Sequence, residues 1–593
     1  MIVPMIKYSM LLYHQDKDSF MSKLMDLGLV QVHGFAVEED ERTGDLTSTI
    51  RETEEAIKRF KRRKIKIPTR SPGNGREFPS LSEIANMERE LEHAMHEAEA
   101  LAIEIRLLEP WGDFSREDIR KLEEQSGIEV KFFQYPESRF EDSWHKDYAL
   151  QIINTINGIH FFIIFRKPEQ ELPISPVALP SESLGTLKAQ REQCLSATSR
   201  LNQQLDECAA NLTDGLHYRL SEAKDQLNLH IASLKARIVH EQTLWIVEAW
   251  CPRPSENNLV KFLNEGSIVY TTHLPSADEK PPVLLKNNWF SRLFEPIGAL
   301  FSLPRYSELD LTAFFAPFFL LFFGLCLGDV GYGIIILVLT TFLKVRKNAQ
   351  YKNYLTLGQL FGGSTIVAGF VSGTFFGVEM AHHDAFSQWS RFFLNQDQLF
   401  NLALVIGFVQ IIFGLGINAY KRLLLQGFTH ALSRIGWIVL LTCLADLYVA
   451  EVAVPITKML LWPGLAMIVF FGAPEKGWFY SAGIGLADLY NITGILGDLL
   501  SYIRLFALGV SSAILGLVVN SIALSARDVP YVGFLLFALV LIVGHTANLL
   551  LSSLSAFVHP MRLTFVEFYK NSGFEGGGVP FAPLSRENSK QSN

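Results

Sequence analysis

The segment AGIGLADLYNITGILGDLLSYIRLFALGVSSAILGLVVNSIALS (482–525) is an apolar run long enough to cross a bilayer, and it carries Asp488, Asp498 and Arg504 in its interior. A guanidinium does not lose its proton, and placing it near the centre of a bilayer costs between about 2.5 and 17 kcal/mol, depending on how the cost is measured. We therefore expect Arg504 to face protein or enclosed water and to have a negatively charged partner.

A second apolar run, residues 531–569, carries Arg562 near its far end and has no acid beside it until Glu567. Neither arginine has a carboxylate of its own at neighbouring helical spacing, so we look for the partner on another polypeptide. As helices the two runs would be about 66 and 58 Å long, against a hydrocarbon core of about 30 Å. We expect them to be steeply tilted or broken, for which Gly483, Gly485, Gly494 and Gly497 offer one opportunity.

The charges are divided unevenly along the chain. Residues 1–300 contain 36 Lys and Arg and 46 Asp and Glu, whereas residues 301–593 contain 17 and 15. This division predicts a soluble domain (1–300) followed by a membrane domain (301–593). The five cysteines are scattered and never spaced as CxxC, which argues against a disulfide or zinc framework. No signal segment opens the chain, so we expect the first 300 residues to stay in the cytoplasm.

The soluble domain is predicted to combine small α/β lobes with an antiparallel coiled coil. Residues 1–35 indicate a strand, a helix and a strand. Heptad-like apolar spacing occurs from Leu81 to Leu108 and again from Leu184 to Ile238. Between these segments, KFFQY (131–135) and IHFFIIF (159–165) favour strands. Such a rod is either a structural spacer or a scaffold arm whose lobe docks another coiled coil.

The membrane domain is predicted to be α-helical with eight transmembrane helices. The first apolar run, 312–343, follows a segment expected in the cytoplasm and precedes basic residues that mark a cytoplasmic loop. It must therefore cross twice, and GLCLGDVGYG (324–333) is the turn between the two crossings. Later runs and basic loops give six more crossings and return the C-terminal tail to the cytoplasm. The further runs are 357–376, 399–420, 435–450, 455–472, 482–525 and 531–569.

Small residues form a stripe on the seventh predicted crossing, at Gly509, Ser512, Ala513 and Gly516. Small residues at this spacing allow close helix approach. The stripe can pack inside this chain or against a moving partner.

Two segments, GDLLSYIRLFALGVSSAI (497–514) and VHPMRLTFVEFY (558–569), resemble the membrane subunit of V/A-type rotary ATPases, called subunit a or subunit I. Other stretches resemble that family in the expected order and extend the likeness over most of the chain. They are LLEPWGDF (107–114), VEAWCPRP (247–254), YSELDLTAFFAPFFLLFFGLCLGDVGYG (306–333) and YKNSGFEGGGVPF (569–581).

The resemblance implies an ion-translocating stator subunit in a prokaryotic cell membrane, without catalysis of its own and without a cofactor or a nucleic-acid partner. Its partners would be a proteolipid rotor ring, peripheral stalk subunits, membrane lipid and, indirectly, the ATP-hydrolysing head. Arg504 and Arg562 would face the essential carboxylate of the ring. By helical spacing, one half-channel would be lined by Asp488, Asn491, Asp498 and Tyr502, and the other by His559, Glu567 and Tyr569.

The sequence also departs from the family. Eukaryotic relatives place a histidine two helical turns beyond the first arginine and a glutamate ten residues before the second, where this chain has Ser512 and Ser552. Those roles do not carry over, and different polar residues are expected to serve. For each acid alone, a structural role at a helix end or facing a loop is an equal alternative.

Competing interpretations remain. A self-contained secondary transporter or channel with a regulatory arm would pair its acids and bases within the chain and show an internal repeat, and no such repeat is detected. A membrane-embedded enzyme has only HHD (382–384) as a hint of a metal site, without a third ligand at suitable spacing. A structural anchor would not need buried arginines. The transported ion, H⁺ or Na⁺, depends on the ring and is left open.

Overall fold

The computed structural model of the chain is built mainly from helices. It describes residues 1–34, 40–63, 81–140, 144–166, 174–239, 243–276, 278–346, 351–380, 391, 393–449, 455–473, 475 and 477–587. The strands are β1 (Met5–Tyr13), β2 (Gln31–His33), β3 (Glu129–Pro136), β4 (Ala149–Ile156), β5 (Ile159–Arg166), β6 (Arg237–Val239), β7 (Leu244–Pro252), β8 (Val269–His273), β9 (Thr374–Phe375) and β10 (Val378–Glu379).

The helices, in chain order, begin in the soluble part and end close to the C-terminus. They are α1 (Lys17–Leu27), α2 (Glu41–Arg62), α3 (Leu81–Leu108), α4 (Arg116–Ser126), α5 (Trp144–Asp147), α6 (Leu184–Leu234), α7 (Glu256–Glu265), α8 (Trp289–Arg292), α9 (Glu295–Phe301), α10 (Thr312–Leu327), α11 (Val330–Arg346), α12 (Lys352–Ser372), α13 (Gln396–Gln426), α14 (Phe428–Val449), α15 (Pro455–Phe470), α16 (Trp478–Leu489), α17 (Ile492–Leu500), α18 (Ile503–Arg527), α19 (Gly533–Arg562) and α20 (Tyr569–Ser572).

The chain divides into two compact units. The first, called here the bundle unit, consists of Met1–His14, Leu29–His33 and Ile238–Pro583. The second, called the rod unit, consists of Gln15–Gly28, Gly34–Arg237 and Leu584–Asn593. Residues 238–300 thus cluster with the helices that follow them. The predicted division of roles between residues 1–300 and 301–593 stays a prediction.

The rod unit is organised around α6, a helix of 51 residues along which α2 and α3 lie. Ile84, near the start of α3, shares a hydrophobic cluster with Leu205 in the middle of α6. Leu108, at the end of α3, shares another cluster with Leu187 at the start of α6. The two helices are therefore antiparallel. The helix α2, which the heptad analysis did not include, adds Phe60 to the first cluster.

A small lobe connects α3 to α6 and contains an antiparallel sheet in the order β3-β5-β4. Phe133 of β3 lies opposite Phe162 of β5, and Phe162 is completely buried in a cluster with Trp144. The predicted strands at 131–135 and 159–165 lie within β3 and β5. The α/β character expected of the N-terminal region is confirmed.

The bundle unit contains a second antiparallel sheet, in the order β2-β7-β1-β8, with β6 paired to β7. The predicted strand, helix and strand of residues 1–35 are confirmed as β1, α1 and β2. Their partners β7 and β8 were not assigned from the sequence. Tyr8 of β1 lies opposite Ala249 of β7, and both are completely buried.

By length and composition, five helical stretches of the described chain are long and apolar enough to cross a membrane, and they correspond to five of the eight predicted crossings. They are Lys352–Ser372, Gln396–Gln426, Phe428–Leu447, Phe479–Arg527 and Gly533–Ser572. Thr312–Leu327 and Thr457–Phe470 are apolar but shorter. A helical fold with several candidate membrane helices is therefore confirmed at this coarser level.

The long apolar run 482–525 is interrupted twice. It is divided among α16, α17 and α18, with turns at residues 490–491 and 501–502. The breaks therefore do not lie at the glycines named above, which are inside α16 and α17. The long apolar run 531–569 passes from α19 into a π-helical turn, Leu563–Phe568, directly after Arg562. Such turns inside α-helices occur frequently at functional sites.

Phenylalanines of α10 form the core of the bundle. Phe315, Phe319 and Phe322 are completely buried, and burial of each such side chain contributes about 1.5–3 kcal/mol. Both α18 and α19 pack against α10. The ring of Phe322 meets that of Tyr502 edge to face, with 5.8 Å between centroids. The helix α10 therefore positions the start of α18.

The small-residue stripe of α18 packs inside the chain at two of its glycines. A Cβ atom on Gly509 would lie 2.6 Å from the carbonyl oxygen of Leu325, and one on Gly516 would lie 2.9 Å from the Cα of Gly377. A larger side chain at either position would force these backbones apart. The stripe was expected to pack either inside this chain or against a moving partner. At these two positions it packs inside the chain.

A buried carboxylate, Glu308, holds the glycine-rich segment after α20 against α13. It accepts hydrogen bonds from the ammonium of Lys421 at 2.9 Å and from the backbone N–H groups of Glu575 and Gly576 at 2.9 and 3.1 Å. Burial alone would raise the pKa of Glu308, but these hydrogen bonds outweigh it and hold the pKa below its ordinary value.

We predict that Glu308→Ala lowers the free energy of unfolding of the purified subunit in detergent by about 3–5 kcal/mol, because it leaves the Lys421 ammonium without its carboxylate. The matched control is Glu575→Ala, which removes a largely exposed partner of Arg305 and should cost about 0–1 kcal/mol. Because the pKa of Glu308 is lowered on folding, its contribution should be present above about pH 4.3 and disappear at lower pH. Equal losses in the two variants would contradict the assignment.

Candidate functional site

Arg504 lies at the start of α18, directly after the turn at residues 501–502. Its side chain is half-buried, and its Nη1 is buried without a hydrogen-bond partner among the described residues. It lies within electrostatic reach of Glu567 and His559. Within the described parts of the chain, no carboxylate comes within ion-pair distance of it. The guanidinium is therefore only partly compensated from within the chain.

Arg562 lies at the end of α19 and is exposed. His559, one helical turn earlier, is within electrostatic reach of both Arg562 and Arg504, which brings the two arginine segments together. The Nδ1 atom of His559 is buried and has no hydrogen-bond partner in the part of the chain that the structure describes. The site therefore presents an exposed cation beside a half-buried one.

Two acids lie next to this pair. Glu567, on the π-helical turn, is 2% exposed, and its Oε2 has no partner among the residues described. Asp498 of α17 accepts hydrogen bonds from the Lys570 ammonium at 3.1 Å and from the Asn571 amide at 3.2 Å. Asp498 is thus paired within the chain, whereas Glu567 keeps one carboxylate oxygen available beside Arg504.

Tyr502 is completely buried, and its hydroxyl donates to Oε1 of Gln410 on α13 at 2.7 Å. A Cβ atom on Gly407 would lie 2.4 Å from Cγ of Tyr502, so the ring packs directly on the backbone of α13. These contacts fix the Tyr502 side chain against α13. The ring anchors the turn from which Arg504 extends.

Asp488 lies apart from the arginine pair. It is near the end of α16, accepts a hydrogen bond from the amide of Asn491 at 2.9 Å and is within electrostatic reach of Arg422 on α13. The structure therefore groups Arg504, Arg562, His559, Glu567, Asp498 and Tyr502, while Asp488 joins a separate group with Arg422.

A further set of buried polar side chains was not assigned to the site by the sequence analysis. Asn548 and Ser552 of α19 are buried and hydrogen-bonded to each other, and Asn548 also donates to the hydroxyl of Tyr332 on α11. His545 of α19 contacts the same hydroxyl. The signal that could have found them is spacing: polar residues recur on α19 at steps of three and four, at His545, Asn548, Ser552, Ser555, His559 and Arg562.

No group of three His, Cys, Asp or Glu side chains suited to a metal ion occurs among the residues that the structure describes. The HHD sequence at 382–384 lies outside the described residues.

Residues 182–389 match the model of the V-type ATPase 116kDa subunit family. The A-type ATP synthase subunit I of Methanocaldococcus jannaschii is 29% identical over 384 residues, which cover 57% of this chain and 55% of that protein. The V-type ATP synthase subunit I of Borreliella burgdorferi is 22% identical over 99% of this chain and 100% of its own length. That of Chlamydia muridarum is 23% identical over 85% of this chain and 87% of its own length.

These matches confirm the resemblance to the V/A-type ATPase subunit I family. The chain spans about half of the Methanocaldococcus relative (55%) and the full length of the Borreliella one. A solved structure described as the cytoplasmic N-terminal domain of subunit I, homolog of subunit a, of V-ATPase covers 45% of this chain at 11% identity, with a TM-score of 0.22. The candidate membrane helices of the bundle unit fit a membrane subunit of the subunit I family.

Proposed function

We propose that this chain is the ion-translocating stator subunit of a V/A-type rotary ATPase, with Arg504 and Arg562 facing the carboxylates of a proteolipid rotor ring. The observation that carries the proposal is the half-buried guanidinium of Arg504, which has a buried, unpartnered Nη1 among the described residues. A charge held at such cost needs an anionic partner. The ring carboxylate is that partner.

The outer surfaces of the last two long helical stretches support a partner at this place. In the most apolar window of Phe479–Arg527 only 17% of residues are buried within the chain, and in that of Gly533–Ser572 only 6%, against 33–39% for the other three candidate spans. These two stretches therefore leave the largest share of their surface for lipid or a second protein. We assign part of that surface to the ring.

The mechanism follows from the cost of charge in hydrocarbon. A ring carboxylate must be neutral to face lipid and ionised to exchange its ion. When it reaches Arg504 the guanidinium stabilises the ionised form, so the ion leaves on one side, and the next ion binds on the other. Because the arginine separates two half-channels, ions cross only when the ring turns. ATP chemistry belongs to the head of the complex and not to this chain.

The neighbouring polar groups take different parts in this scheme. Glu567 and His559 lie beside Arg504 with unpartnered buried polar atoms in the described chain, and they line the path. Asp498 and Tyr502 position the arginine turn through Lys570 and Gln410. Asp488 remains a candidate for the far end of a half-channel.

The proposal includes eight membrane crossings, with the N-terminal half and the C-terminus in the cytoplasm of a prokaryotic cell. Besides the five long helical stretches, α10, α11 and α15 would then cross. With 16 or 17 residues each they span about 24–26 Å, close to the hydrocarbon thickness of about 30 Å.

The rod unit is proposed to anchor peripheral stalks that resist the torque of the rotor. Its support is the length of α6, which at about 1.5 Å per residue reaches roughly 75 Å and is stiffened by α2 and α3. A self-contained transporter with a regulatory arm is the alternative. Purification in mild detergent separates the two, because a transporter should be isolated alone and a stator subunit with ring and stalk proteins.

We expect Arg504→Gln to leave the complex assembled but to reduce ATP-driven ion transport in proteoliposomes to background, since a neutral amide cannot hold the ring carboxylate ionised. Arg504→Lys should also be severe, because an ammonium lacks the planar fork and loses its proton more readily when desolvated. The matched control is Arg527→Gln, at the exposed far end of the same helix, which should transport normally. Transport near the native rate in Arg504→Gln would refute the role.

A second prediction tests the stalk anchor with two leucines of α6. Leu205 is 0% exposed and Leu195 is 46% exposed. Leu205→Glu buries a charge in the cluster that joins α2, α3 and α6 and should cost about 4 kcal/mol or more, whereas Leu195→Glu should change stability by less than about 0.5 kcal/mol.

We expect the Leu205→Glu complex to keep its ring but to lose stalk and head subunits during purification, as judged by gel analysis. The Leu195→Glu complex should remain whole. A complete and coupled complex from Leu205→Glu would show that the rod unit is not the stator link.

A further inference from the structure

Two further arginines meet near the turn between α13 and α14, on either side of Gly427. Arg422 lies five residues before this glycine and Arg434 lies seven residues after it, and they are called here the hairpin arginines. The two helices pack against each other, and the two guanidinium groups are within electrostatic reach of one another. Both side chains are partly buried. Because like charges at this separation repel, the pair requires a compensating anion.

The hairpin arginines have hydrogen-bond donors that the described chain does not use. A guanidinium group has five N–H donors. Nε of Arg422 donates to Oδ1 of Asn418 at 3.1 Å. Nε of Arg434 is buried and has no hydrogen-bond partner among the described residues. Leaving a buried charged donor without an acceptor is costly, so this nitrogen points to an acceptor that comes from outside the chain.

The charges near the turn do not neutralise the hairpin arginines. The ammonium of Lys421 is paired with Glu308 at 2.9 Å, and Nε2 of His430 lies 3.3 Å from a carboxylate oxygen of Glu475. Within the described chain, the carboxylate in electrostatic reach of Arg422 is that of Asp488. One carboxylate beside two guanidinium groups leaves a net positive charge at the turn.

The hairpin arginines lie where an apolar helix surface ends. Arg422 follows the apolar run 399–420 of α13, which is about 33 Å long and matches a hydrocarbon core of about 30 Å. Arg434 directly precedes the apolar run 435–450 of α14. Both guanidinium groups are therefore expected at the level of the lipid headgroups.

Exposed apolar side chains surround the same turn. They are Leu423, Leu424, Leu425 and Phe428. A cationic site beside an apolar surface matches a molecule that has both a phosphate group and hydrocarbon chains. A free phosphate-bearing solute would use the charge but not the leucines.

We propose that the hairpin arginines bind the phosphate group of an anionic membrane phospholipid, whose acyl chains lie against the exposed leucines of the turn. A planar guanidinium group can donate two parallel hydrogen bonds to a phosphate, and basic pockets between membrane helices are suited to lipid headgroups. This inference requires a membrane subunit but not the ion path of the proposed function, so each can fail without the other.

The competing explanation is that the hairpin arginines only hold the turn and Asp488 together. Lipid binding separates the two explanations. The full chain is purified in mild detergent and depleted of lipid, and phosphatidylglycerol, phosphatidylcholine or inorganic phosphate is then added. Bound lipid is counted by native mass spectrometry, and the affinity is obtained from the rise in Tm, since a ligand that binds only the folded state stabilises it.

The variants are Arg422→Gln and Arg434→Gln, each with its lysine counterpart. The matched control is Lys352→Gln, which removes an exposed cation at the start of α12. We expect the native chain to bind phosphatidylglycerol about tenfold more tightly than phosphatidylcholine, because the site has a net positive charge. Each glutamine variant should lose about tenfold or more in affinity for phosphatidylglycerol, and each lysine variant should lose less. The control should bind as the native chain does.

A second measurement uses the native chain and does not depend on how the variants fold. Phosphatidylglycerol with a photoreactive acyl chain should crosslink to the segment 421–434, as located by mass spectrometry of peptides. Crosslinks only outside this segment would overturn the inference. So would native affinity in both glutamine variants, or equal affinity for the two lipids. If inorganic phosphate binds as tightly as phosphatidylglycerol and displaces it, the site takes a phosphate-bearing solute and the assignment to a lipid is wrong.

Discussion

Arg504 is a cation half-buried among the helices of the bundle unit, and the free-energy cost of burying a charge determines what its surroundings must supply. Arg504 cannot become neutral, and its neighbourhood in the described chain supplies Glu567 without closing an ion pair. A fully paired arginine would be inert toward a third charge, and an unpaired one in hydrocarbon would be too costly. The intermediate state found here leaves the cation attractive to a carboxylate that arrives from outside.

The surrounding structure fixes the segment of backbone that carries this cation. The turn that carries Arg504 is fixed by Tyr502, which is completely buried between Phe322 of α10 and the backbone of α13. Asp498 ties the preceding helix to Lys570 and Asn571. Tertiary packing thus fixes the backbone from which the Arg504 side chain extends.

The parts of this site that could be predicted from the sequence are those with a single physical explanation. An arginine within an apolar run implies a protected charge. The structure shows Arg504 half-buried but Arg562 exposed, so this expectation holds for the first arginine and not for the second. The contact made by Tyr502 could not be predicted. Its hydroxyl bonds to Gln410, 92 residues away, whereas helical spacing relates Tyr502 only to residues of its own helix. The hydrogen bonds that join Tyr332 of α11 to His545 and Asn548 of α19 required two helices to meet, and only the spacing on α19 was visible in the sequence.

The two long helices α18 and α19 each have a polar face and an apolar face. Toward the chain they present Asn520, Asn548 and Ser552, all engaged in hydrogen bonds. Away from it they present exposed leucine, isoleucine and valine side chains such as Leu517, Ile542 and Leu550. Among these residues the polar groups therefore lie on the inner face, and the outer face offers apolar side chains, which disfavour a charge. Arg562 is exposed where the polar spacing of α19 ends. Under the proposed function, a ring that slides over this apolar surface would meet the cation of Arg562 at that end.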